Sequence, residues 1–181
     1  MADRRVVERD WYYMGLAEAV AGRANCQGTK VGAVLVRDDR VLGTGFNGTP
    51  TGFTNCEDGG CLRCSDSQLA RDGRVEEMSD AEHIAGRALD RCICVHAEQN
   101  ALLTAARFGV RVEGCTMYAT FSPCFGCLKE MYQAGVVRVV YARAYGAEYH
   151  GALAQQYDDL AAHLSEGDPE RFLHLEPAPP H

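Results

Sequence analysis

The sequence predicts a three-layer α/β domain with a mixed sheet, and two observations carry this prediction. Two β-rich runs around a short polar turn come early in the chain and are typical of an antiparallel hairpin. After them, segments with strand and helix composition alternate, as they do in α/β domains. The chain has 181 residues, which is enough to bury one substantial core, so we expect a single domain over residues 1–181.

The predicted elements follow in order along the chain. Apolar residues at helical spacing predict an amphipathic helix from about Val6 to Ala24. The runs that begin at Val31 and Val41 predict the hairpin strands, and a dense turn signal follows over 47–52. Composition then predicts a helix over 97–108, a strand over 115–121, a helix over 124–134 closed by Gly135, a strand over 136–142, a helix over about 152–164 and an irregular tail over 177–181.

Residues from about 55 to 94 interrupt this pattern as a Cys-rich insertion. The stretch loses strand character, is largely polar and contains one possible helix over about 81–89. It has too few apolar residues for a core of its own, so we expect it to lie on the main domain. A bound metal is a natural way to order such a segment.

Composition and charge argue against several classes of partner. The formal net charge is -7, and the sequence has no Lys/Arg cluster of the kind that nucleic-acid binders carry, so no long nucleic acid is expected. A small substrate with one phosphate needs only one or two local cations and stays compatible with this charge. No apolar run is long enough for a membrane span, and no apolar region follows the basic residues at 4–5. We therefore expect no membrane partner and a cytoplasmic location.

Two short motifs predict a metal site. The first is His-Ala-Glu at 96–98, and the second is Pro-Cys-Phe-Gly-Cys at 123–127. The imidazole of His96 and the thiolates of Cys124 and Cys127 can fill three corners of a tetrahedral zinc site and leave the fourth for water. Two cysteines at i and i+3 share a helix face, and the positive end of a helix favours the thiolate form. This pair of motifs is the known signature of zinc-dependent nucleobase deaminases.

Glu98 fits the remaining chemistry of such a site. Zinc lowers the pKa of a bound water molecule towards neutrality. Glu98, two residues from the histidine, can take the proton from water, deliver it to the ring nitrogen and help to expel ammonia. The carbonyl of Ser122, where Pro123 ends the preceding strand, is a candidate acceptor for the departing amino group.

At these residues the chain resembles the cytidine deaminase-like superfamily and, more closely, the deoxycytidylate (dCMP) deaminase family. The resemblance covers roughly residues 10–145, and His96 favours the nucleotide branch because free-nucleoside cytidine deaminases carry cysteine at that position. Gln99 departs from the family's usual residue but lies outside the ligand set. The matching segments are Lys-Val-Gly-Ala-Val at 30–34, Gly-Phe-Asn-Gly-Thr-Pro at 45–50, His-Ala-Glu-Gln-Asn-Ala at 96–101, Ser-Pro-Cys-Phe-Gly-Cys at 122–127, Gln-Ala-Gly-Val at 133–136 and Val-Val-Tyr at 139–141.

The resemblance implies a three-layer α/β/α cytidine deaminase-like fold with a five-stranded mixed sheet. It implies hydrolytic conversion of dCMP to dUMP with release of ammonia, and one catalytic Zn²⁺. The implied partner is a small-molecule nucleotide substrate, and the implied assembly is a homo-oligomer, either a hexamer or a dimer.

The resemblance also implies roles for individual residues. By position, Asn47 would hold the sugar and base, and the Ala97 backbone would contact the pyrimidine. The substrate phosphate would lie near Lys30 and the loop over 47–50, which contains Gly48 and Thr49. Arg107 resembles a position that is linked to dCTP/dTTP control in regulated members.

The other cysteines suggest a second metal. The chain has nine cysteines, and in a cytosolic protein this density is more often a sign of metal binding or catalysis than of disulfides. The resemblance implies a second, structural zinc, which several family members carry. Its predicted ligands are Cys26, Cys56, Cys94 and, as the fourth, Cys61, with Cys64, Cys92 and His83 competing for that fourth place.

Three other interpretations stay open. A tRNA adenosine deaminase is disfavoured by the insertion and by the low positive charge. The deaminase half of a riboflavin-pathway enzyme is disfavoured because no reductase domain follows. A non-catalytic zinc-binding module is disfavoured by Glu98, since a structural zinc site has no need for that carboxylate. Within the dCMP family, the sequence leaves plain and 5-modified cytosine equally open.

Overall fold

The computed structural model describes residues 4–77, 92–144 and 149–176. The helices are α1 Arg4–Ala21, α2 Leu62–Arg71, α3 Ala97–Arg107, α4 Phe125–Gln133 and α5 Ala152–Ser165. The strands are β1 Gly32–Arg37, β2 Arg40–Phe46, β3 Thr116–Ala119, β4 Arg138–Tyr141 and β5 Phe172–His174. Short 3₁₀ helices lie at Cys56–Asp58, Val75–Glu77 and Pro169–Arg171.

The five strands form one mixed sheet in the order β2-β1-β3-β4-β5. Strand β1 is antiparallel to both β2 and β3, whereas β3–β4 and β4–β5 are parallel. The hairpin closes tightly, because Asp38 and Asp39 both have positive φ between the paired residues Arg37 and Arg40. Short polar side chains tolerate this conformation, which matches the twist of the flanking strands. The predicted five-stranded mixed sheet is confirmed.

Alternate residues of the strands pack on opposite faces of the sheet and produce three layers. Helix α1 covers one face, and helices α3, α4 and α5 cover the other. The α1 face includes Met14, Ala17, Val34, Val36, Tyr118 and Val140. The opposite face includes Ala33, Leu35, Ala101, Met117, Leu128, Val139 and Leu164. The layer that contains α3 and α4 is the one that positions the predicted metal motifs.

Two elements were not predicted from the sequence. Helix α2 lies in the insertion and buries Cys64 and Asp66, so it has no apolar stripe to mark it as a helix. Strand β5 has three residues, which is too short for a period-two pattern to be recognised.

The possible helix over 81–89 and the tail over 177–181 lie outside the described residues. Among the helices of the described ranges, none is long and apolar enough to cross a membrane.

A buried ion pair joins α1 to the sheet and carries a stability prediction. Arg138 donates from both terminal nitrogens to the two carboxylate oxygens of Asp10, each at 2.7 Å, and Tyr118 Oη donates to the same carboxylate at 2.7 Å. Asp10 is 2% exposed. Asp10→Ala leaves Arg138, which is 17% exposed, with only the more distant carboxylate of Glu170 at 3.7 Å. We therefore expect this substitution to lower the free energy of unfolding by about 3 kcal/mol, the lower end of the range for breaking a buried ion pair.

Chemical denaturation followed by circular dichroism measures this cost. Glu18→Ala is the matched control on the same helix, because its ion pair with Arg143 is solvent-exposed and should contribute about 1 kcal/mol or less. Equal destabilisation by the two variants would contradict the importance of the buried pair.

Candidate active site

The first metal motif lies at the start of helix α3. His96 is the N-cap residue with extended backbone angles, and Glu98 lies in the first turn. The His96 backbone N–H donates to Gln99 Oε1 at 3.0 Å, which satisfies one of the amide groups at the helix start. Gln99 Nε2 in turn donates to Glu130 Oε1 at 3.0 Å and so links α3 to α4. The residue that departs from the family pattern therefore contributes to the helix cap.

The second motif begins helix α4. Cys124 is the N-cap, and its sulfur accepts the backbone N–H of Cys127 at 3.5 Å. Two tyrosines hold the same turn from outside the motif. Tyr157 Oη donates to the Pro123 carbonyl at 2.9 Å, and the Phe125 backbone N–H donates to Tyr149 Oη at 2.7 Å. Sequence reasoning missed both tyrosines, because their proximity to this turn depends on how the C-terminal part of the chain packs.

The three predicted ligands come together across the two helix starts. His96 Nδ1 lies 3.4 Å from Cys124 Sγ and 3.4 Å from Cys127 Sγ. On one tetrahedral zinc ion, with Zn–N near 2.05 Å and Zn–S near 2.3 Å, the N and S ligand atoms lie about 3.6 Å apart. The hydrogen bond from Cys127 also lowers the pKa of the Cys124 thiol, which favours the thiolate that a metal needs. The separations of the three ligand atoms and their chemical types therefore both fit a zinc ion.

Glu98 lies beside this set and is almost completely buried, with 4% of its surface exposed. Burial raises the pKa of the Glu98 carboxyl to about 7, against the lowering effects of its own backbone amide, of His96 and of Cys127. A carboxyl group with such a pKa can both accept and release a proton near neutral pH.

One cavity opens onto this centre. His96, Glu98 and Cys124 line it, together with the predicted substrate residues Asn47, Ala97 and Ser122. Asn47 uses both ends of its amide to fix the loop before β1, since Nδ2 donates to the Thr29 carbonyl at 2.8 Å and Oδ1 accepts the Val31 N–H at 2.8 Å. Its predicted contacts with sugar and base stay a prediction.

The sequence also matches a known protein family. Residues 7–143 match the family model described as the cytidine and deoxycytidylate deaminase zinc-binding region. The match spans both metal motifs and well over half of the chain. The chain belongs to this deaminase family.

Several individual relatives are named deoxycytidylate deaminases. Deoxycytidylate deaminases of Schizosaccharomyces pombe and Saccharomyces cerevisiae are each 41% identical, over 143 and 136 residues that cover 79% and 75% of this chain. The alignments cover 39% and 38% of the two yeast proteins, so the chain spans about two fifths of their length. The deoxycytidylate deaminase of a Mycobacterium phage is 42% identical over 136 residues, which cover 74% of this chain and 95% of the phage protein.

A solved structure shares the fold of this chain. The dCMP deaminase of the cyanophage S-TIM5, in complex with dCMP and dUMP, gives a TM-score of 0.62 at 28% identity. The superposition covers 98% of this chain and 100% of the cyanophage chain. The cytidine deaminase-like fold that the sequence predicts is confirmed.

Other residues that the deaminase family resemblance suggested lie away from the cavity. Lys30 is exposed and does not line it, although its neighbours Thr29 and Val31 do. Gly48 and Thr49 line an adjacent groove, and Gly48 pairs with Val95 through two backbone hydrogen bonds. The loop thus turns its backbone towards residue 95, and the predicted phosphate contacts of these residues stay a prediction.

Arg107, the suggested regulatory residue, ends helix α3. It is nine residues along the helix from Glu98, which corresponds to about 14 Å of helical rise. Its guanidinium lies 5.8 Å from the centre of the Phe108 ring, and both side chains are exposed. A role in dCTP/dTTP control stays a prediction.

Arg63 is a cavity residue that sequence reasoning missed. It lies on α2 between two cysteines, is half-buried and lines the cavity with Glu98 and Asn47. Among the cavity-lining residues that the structure describes, it is the one arginine or lysine. Its position inside the C-x-x-C spacing was the available signal, because cysteines that bind a metal fix the residues between them.

The predicted second metal set stays a prediction, and the structure favours one of the competing residues for its fourth place beside Cys26, Cys56 and Cys94. Cys64, in place of Cys61, groups with Cys26, Cys56 and Cys94, and the four Sγ atoms lie within 4.8 Å of one another. The start of α2 explains the difference. Cys61 is the N-cap and its sulfur lies 3.4 Å from Cys92 Sγ, whereas Cys64, one turn later, lies 3.8 Å from Cys26 Sγ. His83, a competitor for the fourth place, lies outside the described residues.

Close packing of β2 against α3 fixes the position of the first metal motif. A Cβ atom added at Gly45 would lie 2.1 Å from the Ala97 carbonyl oxygen and 2.4 Å from the Ala101 nitrogen. We expect Gly45→Ala to displace α3, to lower the free energy of unfolding by about 1–3 kcal/mol and to accelerate zinc loss to a chelator.

Gly43→Ala is the matched control, since its Cβ would make an ordinary contact at 3.5 Å with the same helix. Thermal unfolding and chelator competition compare the two variants. Indistinguishable behaviour of the two would contradict the role of Gly45 in seating α3.

Proposed function

We propose that this protein is a zinc-dependent deaminase that converts dCMP and water to dUMP and ammonia. One observation carries the proposal: a nearly buried carboxyl group, Glu98, lines a single cavity with His96 and Cys124 of a zinc-compatible set. The deoxycytidylate deaminase relatives and the cyanophage dCMP deaminase support the choice of substrate.

Three residues of the site would bind the metal, and a fourth would transfer protons. His96, Cys124 and Cys127 would hold the zinc ion and leave one position open to the cavity. When bound, zinc lowers the pKa of water so that hydroxide is available near neutral pH. Glu98 accepts one proton from water and passes it to the ring nitrogen beside C4; it then takes the second water-derived proton from the new C4 hydroxyl group and delivers it to the leaving amino group. A C4–O bond forms, the C4–N bond breaks, and ammonia leaves.

Arg63 is our candidate for the contact with the substrate phosphate. A nucleotide differs from its nucleoside by a dianionic group, and a guanidinium binds phosphate through paired hydrogen bonds. We expect Arg63→Gln to raise the KM for dCMP by about tenfold or more, since a hydrogen bond to a charged group contributes about 1.5–3 kcal/mol. Turnover of deoxycytidine should be unchanged, because that substrate has no phosphate.

Steady-state kinetics with both substrates test the role of Arg63. Arg71→Gln is the matched control on the same helix, because Arg71 is exposed and hydrogen-bonded to Gln68 outside the cavity. A KM that rises equally for dCMP and deoxycytidine would contradict a phosphate contact.

A substrate panel tests the proposed function. Loss of ultraviolet absorbance would be followed for dCMP beside deoxycytidine, CMP, dCTP and 5-hydroxymethyl-dCMP, with zinc content measured on the same sample. We expect kcat/KM for dCMP to exceed that of the other unmodified substrates by about tenfold or more. A higher value for the 5-modified nucleotide would reassign the substrate. If zinc-loaded protein turned over none of these substrates, the proposal would be contradicted. A tRNA substrate or a non-catalytic role would then be tested.

We also propose a homo-oligomeric, cytoplasmic enzyme that binds one small-molecule nucleotide in each cavity. The family resemblance, which implies a hexamer or a dimer, supports the assembly. Analytical ultracentrifugation of the purified chain measures the oligomer number.

A further inference from the structure

Six cysteines outside the set of His96, Cys124 and Cys127 form a separate group, which we call the six-cysteine cluster. Its members are Cys26, Cys56, Cys61, Cys64, Cys92 and Cys94. Five of them are buried, Cys92 is half-buried, and all are free thiols. They come from the segment after α1, the turn before α2, the start of α2 and the segment before α3. Soft sulfur ligands gathered from distant parts of a chain are typical of a metal site.

The cluster divides into two sets of four sulfur atoms. One set is Cys26, Cys56, Cys64 and Cys94, and the other is Cys61, Cys64, Cys92 and Cys94. Within each set, all Sγ atoms lie within 4.8 Å of one another. Two thiolates on one tetrahedral zinc ion lie about 3.8 Å apart. The observed separations of 3.8 Å for Cys26–Cys64 and 3.4 Å for Cys61–Cys92 are close to this value.

The two sets share Cys64 and Cys94, and this sharing points to two ions. A single zinc ion takes four thiolates and would leave two of the clustered cysteines without a ligand role. Two tetrahedra that share an edge use all six sulfurs. We propose that the six-cysteine cluster binds two zinc ions as a binuclear thiolate site, with Cys64 and Cys94 bridging the ions. Six thiol protons are released to solvent and eight Zn–S bonds form.

Zinc fits the cluster better than an iron–sulfur centre. A [2Fe–2S] centre uses four cysteines and takes its bridging atoms from inorganic sulfide. Here the shared sulfur atoms belong to Cys64 and Cys94, so the six protein ligands complete both tetrahedra. No redox step is required, because zinc does not change its oxidation state.

The location of the cluster gives it a structural consequence. Cys26, Cys64, Cys92 and Cys94 line the same cavity as His96 and Glu98. The binuclear site would therefore hold the start of α2, which carries Arg63, against the segment that leads into α3. The inference does not depend on the identity of the substrate.

Metal analysis of the full chain tests the proposal. We expect about three zinc ions for each wild-type chain, one at His96 and two in the cluster. Cys92→Ser removes one terminal ligand and should lower the zinc content by about one ion. Cys115→Ala, at a buried cysteine outside both sets, is the matched control and should keep all three.

Wild-type protein loaded with ¹¹³Cd gives a second test that does not depend on how Cys92→Ser folds. Two cadmium resonances of all-sulfur ligation should be coupled to each other through the shared sulfur atoms, beside one uncoupled resonance from the His96 site. Two zinc ions per wild-type chain with no loss in Cys92→Ser would overturn the proposal. Iron in the cluster would also overturn it, as would a Cys61–Cys92 disulfide detected by mass spectrometry. Cys127→Ser should lose only the zinc ion at the His96 site and keep the two ions of the cluster, so the two sites can be tested separately.

Discussion

Replacing Glu98 by glutamine is expected to lower kcat for dCMP by about 10²- to 10⁴-fold while leaving zinc content and fold unchanged. The magnitude is that of a general acid–base group whose proton transfers are removed. Glutamine keeps the shape of the side chain in its buried position but can neither accept the proton of water nor protonate the leaving amino group. Steady-state assays, zinc analysis and circular dichroism of the same preparation measure the three properties together.

Glu130→Gln is the control for this substitution. Glu130 is an exposed carboxylate on α4 that accepts a hydrogen bond from Gln99, so it shares the neighbourhood of the metal motifs without entering the cavity. We expect its kcat to stay within about twofold of wild type. Full turnover by Glu98→Gln would remove the proposed proton shuttle.

Cys127→Ser is expected to abolish turnover by loss of the catalytic metal. Cys127 is completely buried, and its sulfur lies 3.4 Å from His96 Nδ1, so its loss removes one of the three ligand atoms that the two helix starts bring together. Serine is a poor zinc ligand in comparison with thiolate, and two remaining ligands hold zinc weakly. We expect the zinc content to fall by about one ion per chain and the activity to fall below detection.

Cys115→Ala distinguishes a metal effect from a general effect of losing a buried cysteine. Cys115 lies in the apolar layer below α3 and belongs to none of the metal sets found among the described residues. This variant should keep its zinc and most of its activity. Retention of zinc and turnover by Cys127→Ser would show that the metal ligands are assigned wrongly.

The sequence was sufficient for the parts of the site that depend on local spacing. His96 and Glu98 lie at the N-cap and in the first turn of one helix, and Cys124 and Cys127 lie at the N-cap and in the first turn of another. The three-residue spacing of the two cysteines brings their sulfur atoms to one helix face. The alternation of strands and helices likewise predicted the mixed sheet and its layers.

The sequence was insufficient where packing between distant segments decides the geometry. Cys61 and Cys64 have equivalent spacing in the motif, and only the position of the start of α2 shows which sulfur points towards Cys26. Arg63 enters the cavity for the same reason. Tyr157 reaches the Pro123 carbonyl from a helix 34 residues away, and no local pattern encodes that contact.

The most direct test of zinc-dependent dCMP deamination is the product balance of dCMP turnover by the purified chain, measured before and after zinc removal. dUMP and ammonia would be quantified together, by chromatography and by a coupled enzymatic assay. We expect equal amounts of the two products, loss of both after chelation, and recovery of both when zinc is restored. Zinc-loaded protein that forms no dUMP from dCMP, or that forms it equally well after its zinc is removed, would contradict zinc-dependent deamination of dCMP.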